Sequence, residues 1–429
     1  MGLSVHQPAS PEGATLPPRG YAWIVFACTF GLLLSDYMSR QVLNAVFPLL
    51  KQDWGLSDTE LGALSGVVAL MVGLLTLPLS ILADRWGRVR SIVVMAALWS
   101  LATLGCAMAT GYGSMLAARL CVGIGEAAYG SVGIALILSI FPAHLRATLT
   151  GAFMAGGAFG SVLGMGLGGA VAKVLGWRWS FGAMALFGMV LVLLYLLIVS
   201  ERRLGVARPA ARAQSQGWRD TLRQLGGSRA VLCAYAGSGL QLFVMGSALA
   251  WIPSFLNRYY ALDAARGGAA AAVFVLLGGT GMIACGMITD RVGRDNPRRK
   301  WDCAIAFCLL CCLLLGAAFS VGPGPLQLAL LGAGMLVAAG TSGPAGAMVA
   351  GLTPPARHGA AFALLTLVNN LLGLAPGPFV TGALADRLGL AGALQLAALV
   401  ALAAAVVFAL GRRHYQAAMS GVAARPEAA

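Results

Sequence analysis

The chain has 429 residues, of which 59% are hydrophobic and 10% charged, with a mean hydropathy of +0.82. So apolar and charge-poor a composition excludes an ordinary soluble domain and implies an integral membrane protein. The net charge of +14 does not point to nucleic acid, because the basic residues are spread through alternate loops.

A membrane-spanning helix needs about 20 apolar residues. Twelve runs are predicted, at 21–49, 59–83, 91–110, 114–140, 147–173, 178–200, 230–255, 265–289, 302–321, 326–351, 360–384 and 390–411. The expected fold is an all-α integral membrane protein with twelve transmembrane helices in two six-helix pseudo-repeats. Residues 1–20 hold four prolines and no apolar core, so they are expected to be a disordered cytoplasmic tail with no secretory signal. An N-terminal bundle over 21–200, a cytoplasmic linker over 201–229, a C-terminal bundle over 230–413 and a cytoplasmic tail over 414–429 complete the predicted organisation.

The first run carries Asp36, Tyr37 and Arg40, and the fourth carries Arg119, Glu126 and Tyr129. Asp36 and Glu126 sit near the centres of their runs, whereas the other thirteen acidic residues lie at run ends or in loops. An ionisable group inside a bilayer costs roughly 2.5–3.5 kcal/mol on insertion scales, so it usually marks a pathway, a relay or a paired site. Arg40 follows Asp36 by four residues and Arg119 precedes Glu126 by seven, offsets that place both members on one helix face. The competing reading is that these are fixed ion pairs holding helices together.

The second run closes on Ser80-Ile-Leu-Ala-Asp84-Arg85-Trp-Gly87-Arg88, and the eighth closes on Gly286-Met-Ile-Thr-Asp290-Arg291-Val-Gly293-Arg294, 206 residues later. A glycine allows a tight turn, an Asp can meet the positive N-terminal end of a neighbouring helix, and Arg can bind carbonyls or carboxylates. Together they describe a breakable cytoplasmic latch in duplicate. Phe141-Pro142-Ala143-His144-Leu145-Arg146-Ala147 is echoed by Thr353-Pro354-Pro355-Ala356-Arg357-His358-Gly359-Ala360. Two parallel six-span halves follow, a known plan for secondary transporters.

In the fifth run Gly156, Gly160, Gly164 and Gly168 recur every four residues and make one smooth face for close packing. The loop 201–229 carries seven Arg against two acids. It is read as a solvated linker, with a headgroup-binding surface helix as the alternative. Gln241 and Trp251 in the seventh run are candidate substrate contacts. So are Asn369 and Asn370 in the eleventh, where an amide must find a partner. The nine Cys lie in runs and are read as apolar packers, so neither a disulfide framework nor a metal site is expected, Cys308-Leu-Leu-Cys311-Cys312 included. Ala385-Asp386-Arg387-Leu-Gly389 looks like a third copy of the latch, but it falls on the outer side and is read as coincidence or packing.

Placing both termini inside puts 21 of the 29 Lys and Arg on the cytoplasmic side, six outside and two, Arg40 and Arg119, within the membrane. Arg outnumbers Lys 26 to 3, which suggests a bacterial origin and hence the inner membrane.

Two motifs carry a resemblance over the chain from Tyr21 to about Arg413. The Asp84-Arg85-Trp-Gly87-Arg88 loop and Arg119-Leu-Cys-Val-Gly123-Ile-Gly125 in the fourth run resemble the signatures of the major facilitator superfamily, with Ser80 where a Gly is usual. The resemblance implies a transporter whose halves rock about a central cavity lined mainly by spans 1, 4, 7 and 10. Gly123-Ile-Gly125-Glu126-Ala127-Ala128-Tyr129, Trp251-Ile-Pro253-Ser-Phe255-Leu-Asn-Arg258-Tyr259 and Asp36-Tyr37-Met38-Ser39-Arg40 resemble its spinster-like branch. That branch usually has Asp where this chain has Ser39, a carboxylate associated with proton coupling, and Asp36 lies one turn earlier. The organic-anion symporter branch shares the Tyr-x-x-Arg start, the Glu in span four and the Phe-Pro-x-x-Leu-Arg-Ala loop.

The function expected is a secondary active transporter moving a small organic anion, a carboxylate first, together with protons by alternating access. Glu126 and Asp36 are the candidate proton carriers. Arg40, Arg119, Tyr37, Tyr129, Gln241, Trp251, Asn369 and Asn370 are the candidate substrate residues, and Asp84, Arg85, Gly87, Arg88, Asp290, Arg291, Gly293 and Arg294 form the candidate cytoplasmic gate. Small-molecule substrate, protons and the lipid bilayer are the partners; no cofactor, no nucleic acid and no oligomer is required. The alternatives are export of an amphiphile such as a lysophospholipid, which the spinster-like resemblance implies, and a transport-inactive sensor. An enzyme is disfavoured because His6, His144, His358 and His414 all lie in tails or loops and no nucleophile-base set appears.

Overall fold

The computed structural model describes residues 17–204, 228–354 and 357–423; most of the predicted linker and the outer parts of both tails lie outside the described residues. A chain in lipid must satisfy its backbone hydrogen bonds within each span, and helices do so. The chain runs through α1 (Arg19–Trp54), α2 (Asp58–Trp86), α3 (Arg88–Met108), α4 (Tyr112–Glu126), α5 (Tyr129–Ile140), α6 (Arg146–Leu175), α7 (Trp177–Ile198) and the short α8 (Glu201–Leu204). It continues through α9 (Arg229–Tyr260), α10 (Ala264–Val292), α11 (Arg299–Ser320), α12 (Pro325–Ala338), α13 (Ser342–Leu352), α14 (His358–Val368), a π-helical turn (Asn369–Leu374) and α15 (Pro376–Ala423). Among the described residues, eleven stretches are long and apolar enough to cross a membrane. The last, His358–Tyr415, is 58 residues long and bends at Gly389, where φ is 76°, so it crosses twice. That makes the twelve expected spans, six in each half.

Three predicted spans depart from a plain helix. The fourth breaks at Ala127–Ala128 between α4 and α5, and the tenth breaks between α12 and α13 at Ala339–Thr341. Both breaks fall at the same offset, 339 − 127 = 212, as the repeated loop, 354 − 142 = 212. The eleventh widens into a π-turn at Asn369–Leu374. Elsewhere the local rules hold. Ser57 and Glu60 form a capping box at the start of α2, Asp263 caps α10 through the Arg266 amide, and Gly55 closes α1 in the left-handed region.

Lipid-facing side chains stay uncovered, as with Leu197 at 83% and Val174 at 78% exposure. The glycine face of α6 lies on α1: a Cβ at Gly156 would meet Phe30 and Leu33, one at Gly160 would meet Leu34 and Tyr37, one at Gly164 would meet Met38, and one at Gly168 would meet Val42. The halves meet along α2 with α15, where Gly62 lies against the Pro378 carbonyl, and along α6 with α10, where Gly169 lies against the Ala264 carbonyl.

Among the described residues, the ion pairs between the halves lie at the end that holds the Gly55 turn. Arg258 of α9 pairs with Asp58 at the start of α2, Asp386 of α15 accepts the Asp58 and Thr59 amides, and Lys173 of α6 bonds Asp263. Nearer the middle, Asn44 Nδ2 lies 3.5 Å from the Leu249 carbonyl, and Phe47 packs on Trp251 at a ring distance of 5.3 Å. At the opposite end, which holds the Gly87 turn, no hydrogen bond or ion pair joins the halves among the described residues. The expected latch is therefore disengaged here: Asp84, Arg85, Asp290, Arg291 and Arg294 make no side-chain hydrogen bond or ion pair among the described residues, and Arg88 donates to the Ala135 carbonyl within its own half. Gly87 adopts φ 101°, a left-handed conformation that favours glycine, and it lies beside the Glu201 carboxyl of α8.

Candidate functional site in the N-terminal half

α4 is clamped before its break. A Cβ at Gly123 would meet Val68 and Met71 of α2, and one at Gly125 would meet Met95 and Trp99 of α3, so neighbouring helices approach too closely for any larger residue. The next residue is Glu126, which leaves the clamp aimed at α1. Its Oε2 accepts from Arg40 Nη2 at 2.7 Å and from Nε at 3.1 Å. The Glu126 side chain is 0% exposed and that of Arg40 is 19% exposed, so the guanidinium is the accessible member of the pair.

Asp36 is 4% exposed and sits one turn before Arg40. Asp36 Oδ1 and Glu126 Oε1 are both buried without a partner among the described residues. An ionised carboxylate only accepts, so each of these oxygens lacks a donor. The Arg40 guanidinium also lies 5.4 Å from the centre of the Tyr37 ring, within cation–π range. Tyr37 is wedged against Gly157 and Gly160 of α6.

The pairing differs from that suggested by spacing along each helix. Arg119 does not reach Glu126, because seven residues of helix rise about 10.5 Å. Its guanidinium instead donates to the Leu64, Ser39 and Arg40 carbonyls at 3.2, 3.1 and 3.5 Å, and the residue is 1% exposed. Arg119 thus ties α4 to α1 and α2 from behind the site. Ser39, where the spinster-like branch usually carries an acid, is 0% exposed and its Oγ has no partner among the described residues.

The remaining candidates disperse. Tyr129 is 0% exposed, donates to the Thr29 carbonyl at 2.6 Å and stacks edge-on with Trp99, so it closes the α4–α5 break instead of facing Arg40. Gln241 donates to the Ala338 carbonyl beside the α12–α13 break, and Trp251 donates to the Pro378 carbonyl; both are 0% exposed. Asn370 lies in the π-turn against Gly73 of α2, and Asn369 is half-buried beside it, each with its Oδ1 unpartnered among the described residues. The positions in the second half equivalent to Arg119 and Glu126 are Leu331 and Ala338, at the offset of 212, so the charge machinery belongs to one half only.

Thr76 makes a contact at the α4–α5 break that the sequence did not reveal. Its hydroxyl lies 2.6 Å from the Ala127 carbonyl freed by the break, and it can also return to the Val72 carbonyl of its own helix. A lone Thr in an apolar run gives no sign of this contact. The groups assembled at the site, two acids and one accessible guanidinium with a second guanidinium behind, can exchange a proton and hold an anion.

Comparison with known proteins agrees with this architecture. The sequence model of the Major Facilitator Superfamily matches residues 29–373. Protein spinster of Drosophila melanogaster is 25% identical over 406 residues, spanning 90% of this chain and 67% of that protein. The hexuronate transporter of Bacillus subtilis (strain 168) is 24% identical over 375 residues, spanning 85% and 88%. The crystal structure of a bacterial homologue of the human lysosomal transporter spinster, in an inward-facing and unoccupied conformation, has a TM-score of 0.82 at 18% identity and covers 94% of this chain and 99% of its own.

Proposed function

Because the chain belongs to the Major Facilitator Superfamily, we propose that it is a secondary transporter that carries a small organic anion, a carboxylate first, into the cell together with protons. The observation that carries this reading is the Arg40–Glu126 pair with Asp36 unpaired beside it, inside the membrane and with only the guanidinium accessible. With both acids ionised, Asp36 and Glu126 balance Arg40 and Arg119. One proton on either carboxyl leaves the site one positive charge in excess, and a bound monoanion removes it. A low-dielectric site strongly favours neutrality, so proton and anion enter and leave together. The likeness to a hexuronate transporter supports a carboxylate cargo, since hexuronates are sugar acids.

Orientation follows from charge: the basic loops place both termini, and the end that holds the Gly87 turn, in the cytoplasm of an inner membrane. On that assignment the structure is closed outside and inward-facing. The Asp84 and Asp290 segments are then the inner latch, which re-forms when the molecule faces outward.

Fluorescence of a pH-sensitive dye inside proteoliposomes tests this reading as organic acids are added. Wild type is expected to move protons with a carboxylate. Glu126→Gln, fixed in the protonated form, is expected to lose proton-driven uptake yet retain exchange of internal for external substrate. Loss of exchange as well would make Glu126–Arg40 a structural pair. A second reading, export of an amphiphile, is what the resemblance to the spinster-like branch implies. It would be adopted if lysolipid moves and no acid does.

A further inference from the structure

The segment Ala385-Asp386-Arg387-Leu-Gly389 repeats the Asp-to-Gly spacing of the two inner latches, and Gly389, like Gly87, sits in the positive-φ region. Its Asp performs the contact expected of those latches. Asp386 Oδ1 accepts the Asp58 amide at 2.8 Å, and Oδ2 accepts the Thr59 amide at 2.9 Å and the Thr59 hydroxyl at 2.6 Å. These are first-turn donors of α2, which no intrahelical carbonyl can satisfy, and they belong to the other half. A carboxylate of the second half therefore caps a helix of the first, where the helix dipole favours negative charge.

Beside this cap, Asp58 is buried at 2% exposure and holds two cations. Arg258 of α9 approaches through both terminal nitrogens, and Lys51 of α1 bonds Oδ1 at 2.6 Å. The two cations come from different halves. When the halves part at this end, Arg258 leaves with α9, while Lys51, seven residues before Asp58 across the Gly55 turn, remains. A buried carboxylate stripped of its only partner would make opening very unfavourable; one that keeps a second cation can open.

We propose that Asp386, Arg258 and Asp58 form the releasable lock of the Gly55 end, and that Lys51 is its holding partner, which keeps Asp58 neutralised after release. The two cations on one carboxylate then act in opposite directions on the opening equilibrium. Losing Arg258 removes a bond made only in the closed state. Losing Lys51 removes a bond present in both states but leaves Asp58 unpaired only in the open one.

Hydrogen exchange followed by mass spectrometry on the full chain in lipid nanodiscs separates these effects, using peptides that cover the start of α2 and peptides at the Gly87 end. Arg258→Gln is expected to speed exchange at the start of α2 on the order of tenfold or more, the worth of a charged hydrogen bond, and to slow exchange at the Gly87 end as that end closes. Asp386→Ala is expected to act in the same direction, and Thr59→Val more weakly, which preserves the test if Asp386→Ala does not fold. Lys51→Met is expected to leave exchange at the start of α2 unchanged or slower. Equal acceleration by Arg258→Gln and Lys51→Met, or acceleration at α2 with no reciprocal protection at the Gly87 end, would show ordinary surface bridges and overturn the proposal. No change with any variant would overturn it equally.

Discussion

Arg40 and Arg119 carry the same charge on neighbouring helices, and their surroundings assign them different work. Arg119 spends its donors on three backbone carbonyls and is sealed from solvent, whereas Arg40 uses two nitrogens on one carboxylate oxygen and keeps an accessible edge. Truncating Arg119 removes a fully packed side chain that joins three helices, so Arg119→Ala is expected to lower stability by about 2–4 kcal/mol, the range for large-to-small changes in a core. Arg40→Ala is expected to weaken anion binding at least tenfold, about 1.4 kcal/mol, with a smaller stability loss because Arg40 is partly exposed and its donors reach one partner only. Thermal unfolding of both variants in detergent and substrate titration by intrinsic fluorescence separate the two roles. If Arg119→Ala loses affinity at unchanged stability, Arg119 belongs in the site.

At the scale of elements, the sequence exposed what depends on composition and periodicity. The apolar runs gave the spans, the repeated Asp-Arg-x-Gly-Arg segments gave the two halves, and the four-residue glycine period identified the face of α6 that packs on α1. Breaks inside runs stayed hidden, because the broken residues Ala127-Ala128 and Ala339-Gly340-Thr341 contain no proline and sit within runs long enough to span as one helix. The Arg40–Glu126 pairing stayed hidden for a related reason: spacing constrains partners along one helix, and this pair spans two. Asp386 was legible as a motif but not as a lock, since its partners are amides 327 and 328 positions away. The glycine face gives the clearest element-level expectation. Gly164 already brings Met38 to 2.8 Å of any Cβ, whereas Gly166, two residues on, has open space. Gly164→Leu is therefore expected to destabilise the α1–α6 contact by about 1–3 kcal/mol, as overpacking does, while Gly166→Leu is close to neutral. Thermal melts of the two variants side by side decide this, and equal effects would mean that the stripe is not the contact surface.

For the whole molecule, the question is which charges respond to pH and which to voltage. The bridge from Lys173 to Asp263 at the closed end is a poor pH sensor. The Lys173 hydrogen bond, with the Arg266 amide behind it, holds the Asp263 carboxyl below its ordinary range. A depressed carboxylate contributes its stability above the unfolded value, ~4, and loses it only as pH falls below that. Between pH 5 and 8 this exposed bridge is constant and contributes little. The proposed proton carriers, Asp36 and Glu126, are both buried within their spans. Their charge balance fixes the response to voltage. A monoanion carried with one proton crosses as a neutral load, whereas a net elementary charge moved against 100 mV costs about 2.3 kcal/mol, close to fiftyfold in a transport equilibrium. The substrate gradient built by a fixed pH difference is therefore expected to be independent of a potassium–valinomycin potential for a monocarboxylate and to depend on it for a dicarboxylate. Accumulation of a monocarboxylate that follows the imposed potential would mean that protons and anion charges do not cross one for one, and the shared-proton arrangement of Asp36, Glu126 and Arg40 would have to be abandoned as the coupling device.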